Sequence, residues 1–403
     1  MVGPNGNAHR RRIVLYAPMP TVVVSPRGVE RAKSGHVWIY RSDLTEVRAD
    51  PGDVVEVLGP RGRPLGSAFY SDRSQISLRL LTAGGAVVGP DFLRARLDQA
   101  IRFRESLGID ANAYRVVHGE GDLLPSLVVD RYGDYLVVQT LSQATERLQP
   151  EIVAILGERL RPAGVLVRND AKVRALEGLE PVVAVVAGSV PERVPVRDGR
   201  IDFEVDLRSG QKTGLFLDQR ENREAAMRYA HGRLLDAFSY DGGFALALAP
   251  ACTGVVALEI SADASARIRA NAARNGISGV DVRTVNVFDE LHELDRRDDH
   301  FDTIILDPPA FAKNKASVPK ALTGYKEINR RAFRLLRPGG ILVTCTCSHH
   351  VDDVLFEDVV RAAAADAGVA VSIVEKRIQG RDHPVLLGVP ETLYLKCLIL
   401  RKL

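Results

Sequence analysis

Cysteine is scarce in this chain, and Cys252, Cys345, Cys347 and Cys397 lack the regular spacing of a disulfide framework; they fit a reducing compartment, and the expected location is cytoplasmic. No apolar run approaches the length of a membrane span, so no membrane partner is expected. Arg10-Arg11-Arg12 ahead of Ile13-Val14-Leu15 looks like the start of an export signal. Pro18 and Pro20 interrupt the apolar stretch, however, and no small-residue cleavage site follows, so residues 1–20 are expected to form a mobile basic tail. Internal repeats and low-complexity segments are missing too. Neither sign of charge prevails: 54 basic and 51 acidic residues leave a formal +3, which permits an RNA partner without requiring one.

What is present suits a multidomain enzyme. Hydrophobic residues make up 46% and charged residues 26% of 403 positions, a globular balance in a chain too long for one compact core. From Thr21 to about Val88, the β-type runs Val22-Val23-Val24, Val54 to Val57 and Ile76 to Leu80 alternate with Pro and Gly turns and predict a small all-β barrel or sandwich. Leu93, Leu97, Ile101 and the Phe103 to Leu107 stretch predict a connecting helix over Phe92 to Leu107. Between Tyr114 and Leu207, strands at Leu127 to Val129 and Tyr135 to Val138 surround a helix expected over Leu148 to Leu160, a middle α+β unit. Beyond Ala230 the rhythm becomes strand, turn, helix. Leu234 to Phe238 leads to Gly242-Gly243 and a helix, Val255 to Glu259 leads to a helix over Ala264 to Asn275, and Thr303 to Asp307 ends in Pro308-Pro309. Ile341 to Thr344 adds a strand, and runs near Val369 to Val374 and Thr392 to Leu400 add a terminal pair. Such alternation builds a parallel sheet wrapped by helices.

In such a sheet the ligand lies where the first strand turns into its helix. A dinucleotide site needs G-x-G-x-x-G there so that pyrophosphate can meet the helix N-terminus. This turn instead reads Ser239-Tyr240-Asp241-Gly242-Gly243-Phe244, with Asp236 and Asp241 beside it. Acid repels a pyrophosphate and attracts the sulfonium and amino group of S-adenosylmethionine. Glu259, at the end of the next strand, is placed to accept both ribose hydroxyls. On these residues alone an ordinary βαβ turn with an exposed Glu reads equally well.

Asp307-Pro308-Pro309-Ala310-Phe311 and Thr344-Cys345-Thr346-Cys347-Ser348 end two further strands and should open onto the same cleft. Together with Gly35-His36-Val37-Trp38-Ile39-Tyr40, Val128 to Asp134, Gly210 to Arg220 and Tyr325 to Asn329, they make the chain resemble the two-part RNA methyltransferases with an N-terminal PUA domain. The best-known member of that family makes 5-methylcytidine in bacterial large-subunit ribosomal RNA. The strongest match is Gly210-Gln211-Lys212-Thr213-Gly214-Leu215-Phe216-Leu217-Asp218-Gln219-Arg220, a family hallmark that lines the cofactor cleft. Departures are Val37 for the usual proline, Asp241 for threonine and Asn286 for an aspartate that meets the adenine amino group, which makes the adenine contact less secure than that to ribose.

The resemblance implies an α/β multidomain fold: a PUA barrel over 21–88, a linker helix and middle α+β domain over 89–207, and a Rossmann-like class I methyltransferase domain over 208–403. It implies S-adenosylmethionine as cofactor, held by Gln211, Thr213, Phe216, Asp218, Arg220, Asp236, Phe238, Ser239, Gly242, Gly243, Glu259, Asn286, Asp307 and Pro308. RNA, 23S ribosomal RNA in particular, is the implied partner, and a homodimer is left open. Carbon 5 of cytosine is a poor nucleophile until a thiolate adds to carbon 6, so Cys347 is the implied nucleophile, with Asp307 on the N3/N4 edge and the base unstacked into the cleft.

Other readings stand beside these. Cys347 alone reads as a small buried hydrophobe, and Cys345, on the same strand face, is taken as core or support. Zinc on Cys345, Cys347, His349 and His350 has poor spacing, and no metal is expected. Trp38 reads as barrel core rather than as a stacking platform, and Lys313, Lys315, Lys320 and Lys326 as a solvated face or as phosphate contacts. Exocyclic-nitrogen methylation, as at guanine N2, needs the Asp-Pro-Pro motif but no thiol. A nicotinamide dehydrogenase lacks its glycine motif here, and an RNA-binding assembly factor with a decayed catalytic half would not need Asp307 and Cys347.

Overall fold

The computed structural model describes residues 19–84, 86, 88–89, 91–312 and 314–403; Lys313 and most of the expected basic tail lie outside the described residues. The first unit is a six-stranded sheet in the order Trp38–Tyr40, Ile76–Leu80, Pro64–Tyr70, Val54–Leu58, Thr21–Val24, Leu44–Arg48. It is not all β. A helix, Pro26–Lys33, opens on Ser25, whose Oγ accepts from Gly28 N, with Pro26 at its first position. The helix is short and polar, so no apolar period announces it. Only Gly28 is buried in it, and a Cβ there would meet Val24 Cβ at 2.9 Å. The core of Val22, Val24, Ile39, Val55, Val57 and Leu78 is completed by Val389, far along the chain.

The middle unit is a five-stranded sheet ordered Val182–Gly188, Gly164–Asn169, Tyr135–Thr140, Leu127–Tyr132, Ala113–His118. Helices Phe92–Ser106 and Gln143–Leu160 pack on it through Leu93, Leu97, Ile101, Ile152, Ile155 and Leu156. The second helix starts earlier than expected because Ser142 and Thr145 form a capping box, and Pro150 is accommodated inside it. Arg104 is buried on the first helix while Phe103 is exposed: its side chain donates to Arg115 O (3.0 Å) and Asp382 O (2.7 Å), reaching toward the catalytic unit.

The catalytic unit is a seven-stranded sheet. Its strands in chain order are β1 (Arg233–Ala237), β2 (Gly254–Glu259), β3 (Val280–Thr284), β4 (Phe301–Leu306), β5 (Leu336–Thr346), β6 (Val371–Ile378) and β7 (Lys396–Lys402), arranged β3-β2-β1-β4-β5-β7-β6. β1 to β5 are parallel, and β7 runs antiparallel to both β5 and β6. The order reverses between β1 and β4, so a crevice opens beyond their carboxyl ends. Helices cover both faces: Phe333, Ile328 and Phe356 pack on one side, Phe244, Ala245 and Ile268 on the other. A hairpin, Val194–Asp198 with Ile201–Val205, buries Val196, Phe203 and Val205 against Tyr132 and Leu166 of the middle unit and Leu246 and Ala272 of the catalytic unit.

Candidate active site

The turn after β1 is built on strained backbone: Phe238 (φ 67°), Tyr240 (φ 51°) and Gly242 (φ 85°) are all left-handed. A Cβ on Gly242 would come within 3.2 Å of Ile268 Cγ2 and Leu246 Cδ1, so glycine is required there on both counts. Asp236, at the end of β1, ties the turn together by accepting from Ser239 Oγ (2.6 Å) and Ala245 N (2.9 Å). Burial, with Asp307 and Glu259 nearby, pushes its carboxyl up to about 7. Glu259 ends β2 and is oriented by Tyr240 N (2.9 Å) on one oxygen and Ser261 N (2.8 Å) on the other, which leaves lone pairs toward the cleft.

Asp236, Tyr240 and Glu259 line a cavity of about 390 Å³ together with Gln211, Phe216, Asp218, Phe238, Ser239, Gly243, Asn286, Asp307, Pro308 and Cys347. Thr213, Arg220 and Gly242 are not among its lining residues. Thr213 faces the middle unit, where its hydroxyl meets Asp130 Oδ2 (2.5 Å) and Tyr132 OH (2.9 Å). Arg220 is a buried clamp: Nε donates to Asp198 Oδ1 (2.6 Å) and the guanidinium reaches Ala113 O (2.8 Å) and Asp382 Oδ2 (3.3 Å). Gly242 supplies turn geometry. The hallmark segment therefore divides, one part facing the cavity and the other fastening the catalytic unit to the middle unit.

Asp307 follows β4, and Cys347 follows β5, its neighbour in the sheet. Gln219 Nε2 donates to Asp307 Oδ1 (2.9 Å), and burial together with the Asp218 charge raises the Asp307 carboxyl to about 6. Burial and Asp307 raise the Cys347 thiol to about 11, opposed by Lys212. Both segments hang on Tyr325: its hydroxyl meets Ser348 Oγ (2.9 Å) and Thr346 Oγ1 (2.8 Å), and its ring packs on Phe311 at 4.6 Å. Cys345 is fully buried opposite Cys397. Asn286 caps the helix Val287–Arg296, its Oδ1 accepting from Phe288 N (2.9 Å), so one lone pair of the expected adenine acceptor is already used.

Three residues the sequence reading did not select belong to the site. Lys212 donates to Asp218 Oδ2 (2.5 Å), Tyr394 OH donates to the same oxygen (2.6 Å), and Gln219 holds Asp307. Lys212 and Gln219 sat inside the hallmark segment and could have been found there; Tyr394 carries no local signal. Trp38 is half-buried, its indole N–H donating to Glu120 Oε1 (3.0 Å) across to the middle unit. Lys315 and Lys320 are exposed, and Lys326 pairs with Asp366 (2.7 Å).

Six acids (Asp198, Asp218, Asp236, Asp241, Glu259, Asp307) and two bases (Lys212, Arg223) line the cavity among the described residues, a donor-seeking surface unsuited to pyrophosphate and suited to a sulfonium and a ribose. Asp241 is paired with Arg267, whereas Asp236 and Glu259 have no cationic partner among the described residues. The fold and this site define an S-adenosylmethionine-dependent methyltransferase. The model of that family matches residues 170–399, and a PUA-like domain matches residues 22–83.

More narrowly, the chain belongs to the family of ribosomal RNA large subunit methyltransferase I. It is 38% identical over 377 residues to that protein of Tolumonas auensis, covering 91% of this chain and 95% of the relative. With the protein of Photobacterium profundum it shares 36% identity over 390 residues, 94% of this chain and 98% of that one. Among solved structures, the methyltransferase SMU.776 complexed with SAH superposes with a TM-score of 0.83 at 21% identity, over 95% of this chain and all of that one, a likeness of fold. No helix among the described residues is long and apolar enough to cross a membrane.

Proposed function

We propose that this chain methylates carbon 5 of a cytidine in large-subunit ribosomal RNA, 23S in bacteria, through a transient bond from Cys347 to carbon 6. The observation that carries the reading is that a thiol and a carboxyl, Cys347 and Asp307, meet in one cleft at the ends of adjacent strands beside the Asp236 turn and Glu259. Gln211, Phe216, Phe238, Ser239, Gly243, Asn286 and Pro308 complete the cofactor wall. S-adenosylmethionine, when bound, supplies an electrophilic methyl group and a positive charge beside these acids. In the free enzyme the Cys347 thiol rests protonated, and Lys212 favours its thiolate. The thiolate pair adds to carbon 6, and the ring becomes an enamine that is nucleophilic at carbon 5. Asp307, with a carboxyl raised to about 6, can carry a proton and donate it toward N3 as the ring electrons shift. After methylation water in the cleft takes the carbon-5 proton, the C5–H electron pair re-forms the C5=C6 double bond, the C6–S bond breaks with its pair going to sulfur, and N3 returns its proton to Asp307.

The test is covalent trapping. RNA carrying 5-fluorocytidine at the target should stay bonded to the enzyme, because fluorine cannot leave as a proton does, and mass spectrometry should place the bond at Cys347. Cys347→Ser should bind cofactor and RNA yet transfer no methyl group. Full activity of that variant would refute the carbon-5 mechanism and favour methylation of an exocyclic nitrogen, such as guanine N2. Mapping modified nucleotides in RNA with and without the enzyme identifies the target.

A further inference from the structure

β6 and β7 are antiparallel neighbours, and their ladder closes on the pair Ile378 and Lys396, so a tight hairpin turn could join them. The chain instead spends residues 379–395 on the connection, with one short helical turn, Pro390–Thr392, along the way. Connections of that length inside a compact domain are either unstructured or functional, and this one makes contacts along its whole course.

On the way out it lies against the middle unit. The Asp382 carboxylate accepts from Arg115 N (3.0 Å), its carbonyl accepts from Arg104 (2.7 Å), and a Cβ on Gly121 would collide with Pro384 O. At the tip, Val389 is fully buried in the core of the first unit, which is the PUA-like domain. A Cβ on Gly388 would strike Gly35 O, and His36 Nε2 meets Glu391 Oε2 at 3.3 Å. On the return, Thr392 Oγ1 accepts from Leu386 N (2.9 Å), and Gln379 Nε2 donates to Thr392 O (2.7 Å), which closes the neck. Tyr394 OH then donates to Asp218 Oδ2 (2.6 Å) on the cavity wall. Leu395 also lines the cavity, and it belongs to the apolar cluster against which Cys347 packs. One segment thus has its tip in the core of the first unit and its end in the wall of the catalytic cleft.

We propose that the PUA-like domain has a task in this enzyme besides contact with RNA: it anchors the segment 379–395, and Val389 is a positioning residue that, through this anchor, holds Tyr394 and Leu395 in the cleft wall. The tip is the stiff end, because Val389 is enclosed in a packed core while Tyr394 reaches Asp218 through one hydroxyl. This role goes beyond the cytosine reading and holds for any target nucleotide.

The test uses the full chain and two substitutions that release the tip by different routes: Val389→Ala empties its seat, and Gly388→Ala drives a Cβ against Gly35 O. Val55→Ala, in the same core but outside the segment, is the control for damage to the first unit. With S-adenosylmethionine and a large-subunit ribosomal RNA transcript, both tip variants should lower kcat at least about tenfold and change KM for RNA by less than about threefold, while Val55→Ala moves neither beyond about threefold. Without turnover, amide exchange at residues 393–396 should quicken at least about tenfold in the tip variants but not in Val55→Ala, and alkylation of Cys347 by iodoacetamide, read by mass spectrometry, should quicken at least about threefold. A rise in KM with kcat and exchange unchanged would overturn the proposal and leave the segment a tether for the first unit. Equal losses in Val55→Ala would overturn it as well, since general loosening of the first unit would then suffice. If neither tip variant folds, exchange of the wild type in rising urea decides: residues 389–395 should open together with Thr21–Val24 and Val54–Leu58, and opening of the segment while those strands stay closed would overturn the anchor. A chain that shows the stated exchange but methylates no RNA would fail the functional reading and support this one.

Discussion

Arg220 lies in the segment expected to hold the cofactor, yet its side chain is 3% exposed and every contact it makes is structural. Replacing it with Ala removes the bond to Asp198 Oδ1 (2.6 Å), the bond to Ala113 O (2.8 Å) and the contacts to Asp382 Oδ2 (3.3 and 3.4 Å). Asp198 keeps Arg223, and Asp382 keeps His383 and the backbone N–H of Arg115, so neither acid is wholly abandoned. Both nonetheless lose a buried positive partner, a change that costs about 3–5 kcal/mol, or two to three and a half powers of ten in the unfolding equilibrium. The assay is urea unfolding followed by tryptophan fluorescence and far-UV dichroism, with calorimetric titration of S-adenosylhomocysteine on the folded protein. The expected result is an earlier transition for Arg220→Ala, partial recovery in Arg220→Lys, which keeps charge but not the planar fork, and unchanged cofactor affinity. A variant that unfolds like wild type but binds S-adenosylhomocysteine tenfold more weakly would refute the clamp and restore the cofactor role.

Glu259→Ala should weaken S-adenosylhomocysteine binding at least about tenfold, since each charge-assisted bond to a ribose hydroxyl contributes about 1.5–3 kcal/mol; unchanged affinity by calorimetry would remove Glu259 from the ribose site. Tyr325→Phe should leave that affinity intact while lowering kcat about tenfold, because Ser348 and Thr346 lose the hydroxyl that ties the Cys347 and Asp307 segments together; a KM effect alone would count against it. Acid should destabilise the fold in two ranges. Burial, together with His383 and Arg115, holds the His118 imidazole well below its ordinary value, so the unfolded chain takes up a proton that the folded chain refuses, and stability falls as pH drops below about 6.5. Asp218 and Asp382 are held low against burial, mainly by Lys212 and His383 respectively, so their contribution is complete above about pH 4 and is lost as pH falls further. Unfolding midpoints between pH 8 and pH 5 should fall for wild type and change less for His118→Leu; identical slopes would refute the histidine assignment.

How far the sequence could be read depended on whether the relevant physics was local. β1, β2, β4 and β5 announce themselves because each contains a short apolar run closed by a turn, and the acids at their ends, Asp236, Glu259 and Asp307, are the groups such a sheet presents to its crevice, whereas β3, an edge strand of sequence Val280-Asp281-Val282-Arg283-Thr284 with no buried residue, carries no such run and was not read. The helix Pro26–Lys33 escaped because nearly all of it is polar, although its Ser25-Pro26 start was a usable signal. Within the hallmark segment, motif membership could not separate side chains that face the cavity from those that face the middle unit. Thr213 and Asp218 are five positions apart, yet one serves Asp130 and the other the cleft, because Gly214 (φ 150°) and Lys212 (φ 53°) bend the chain out of any regular period. The least legible part was the group of contacts converging from distant positions. Asp382 meets Arg220 and the backbone of Arg115, and Tyr394 meets Asp218. No window of sequence contains both partners of such a pair, and it is this pairing, rather than any motif, that fixes the Asp218 carboxylate against the cleft wall.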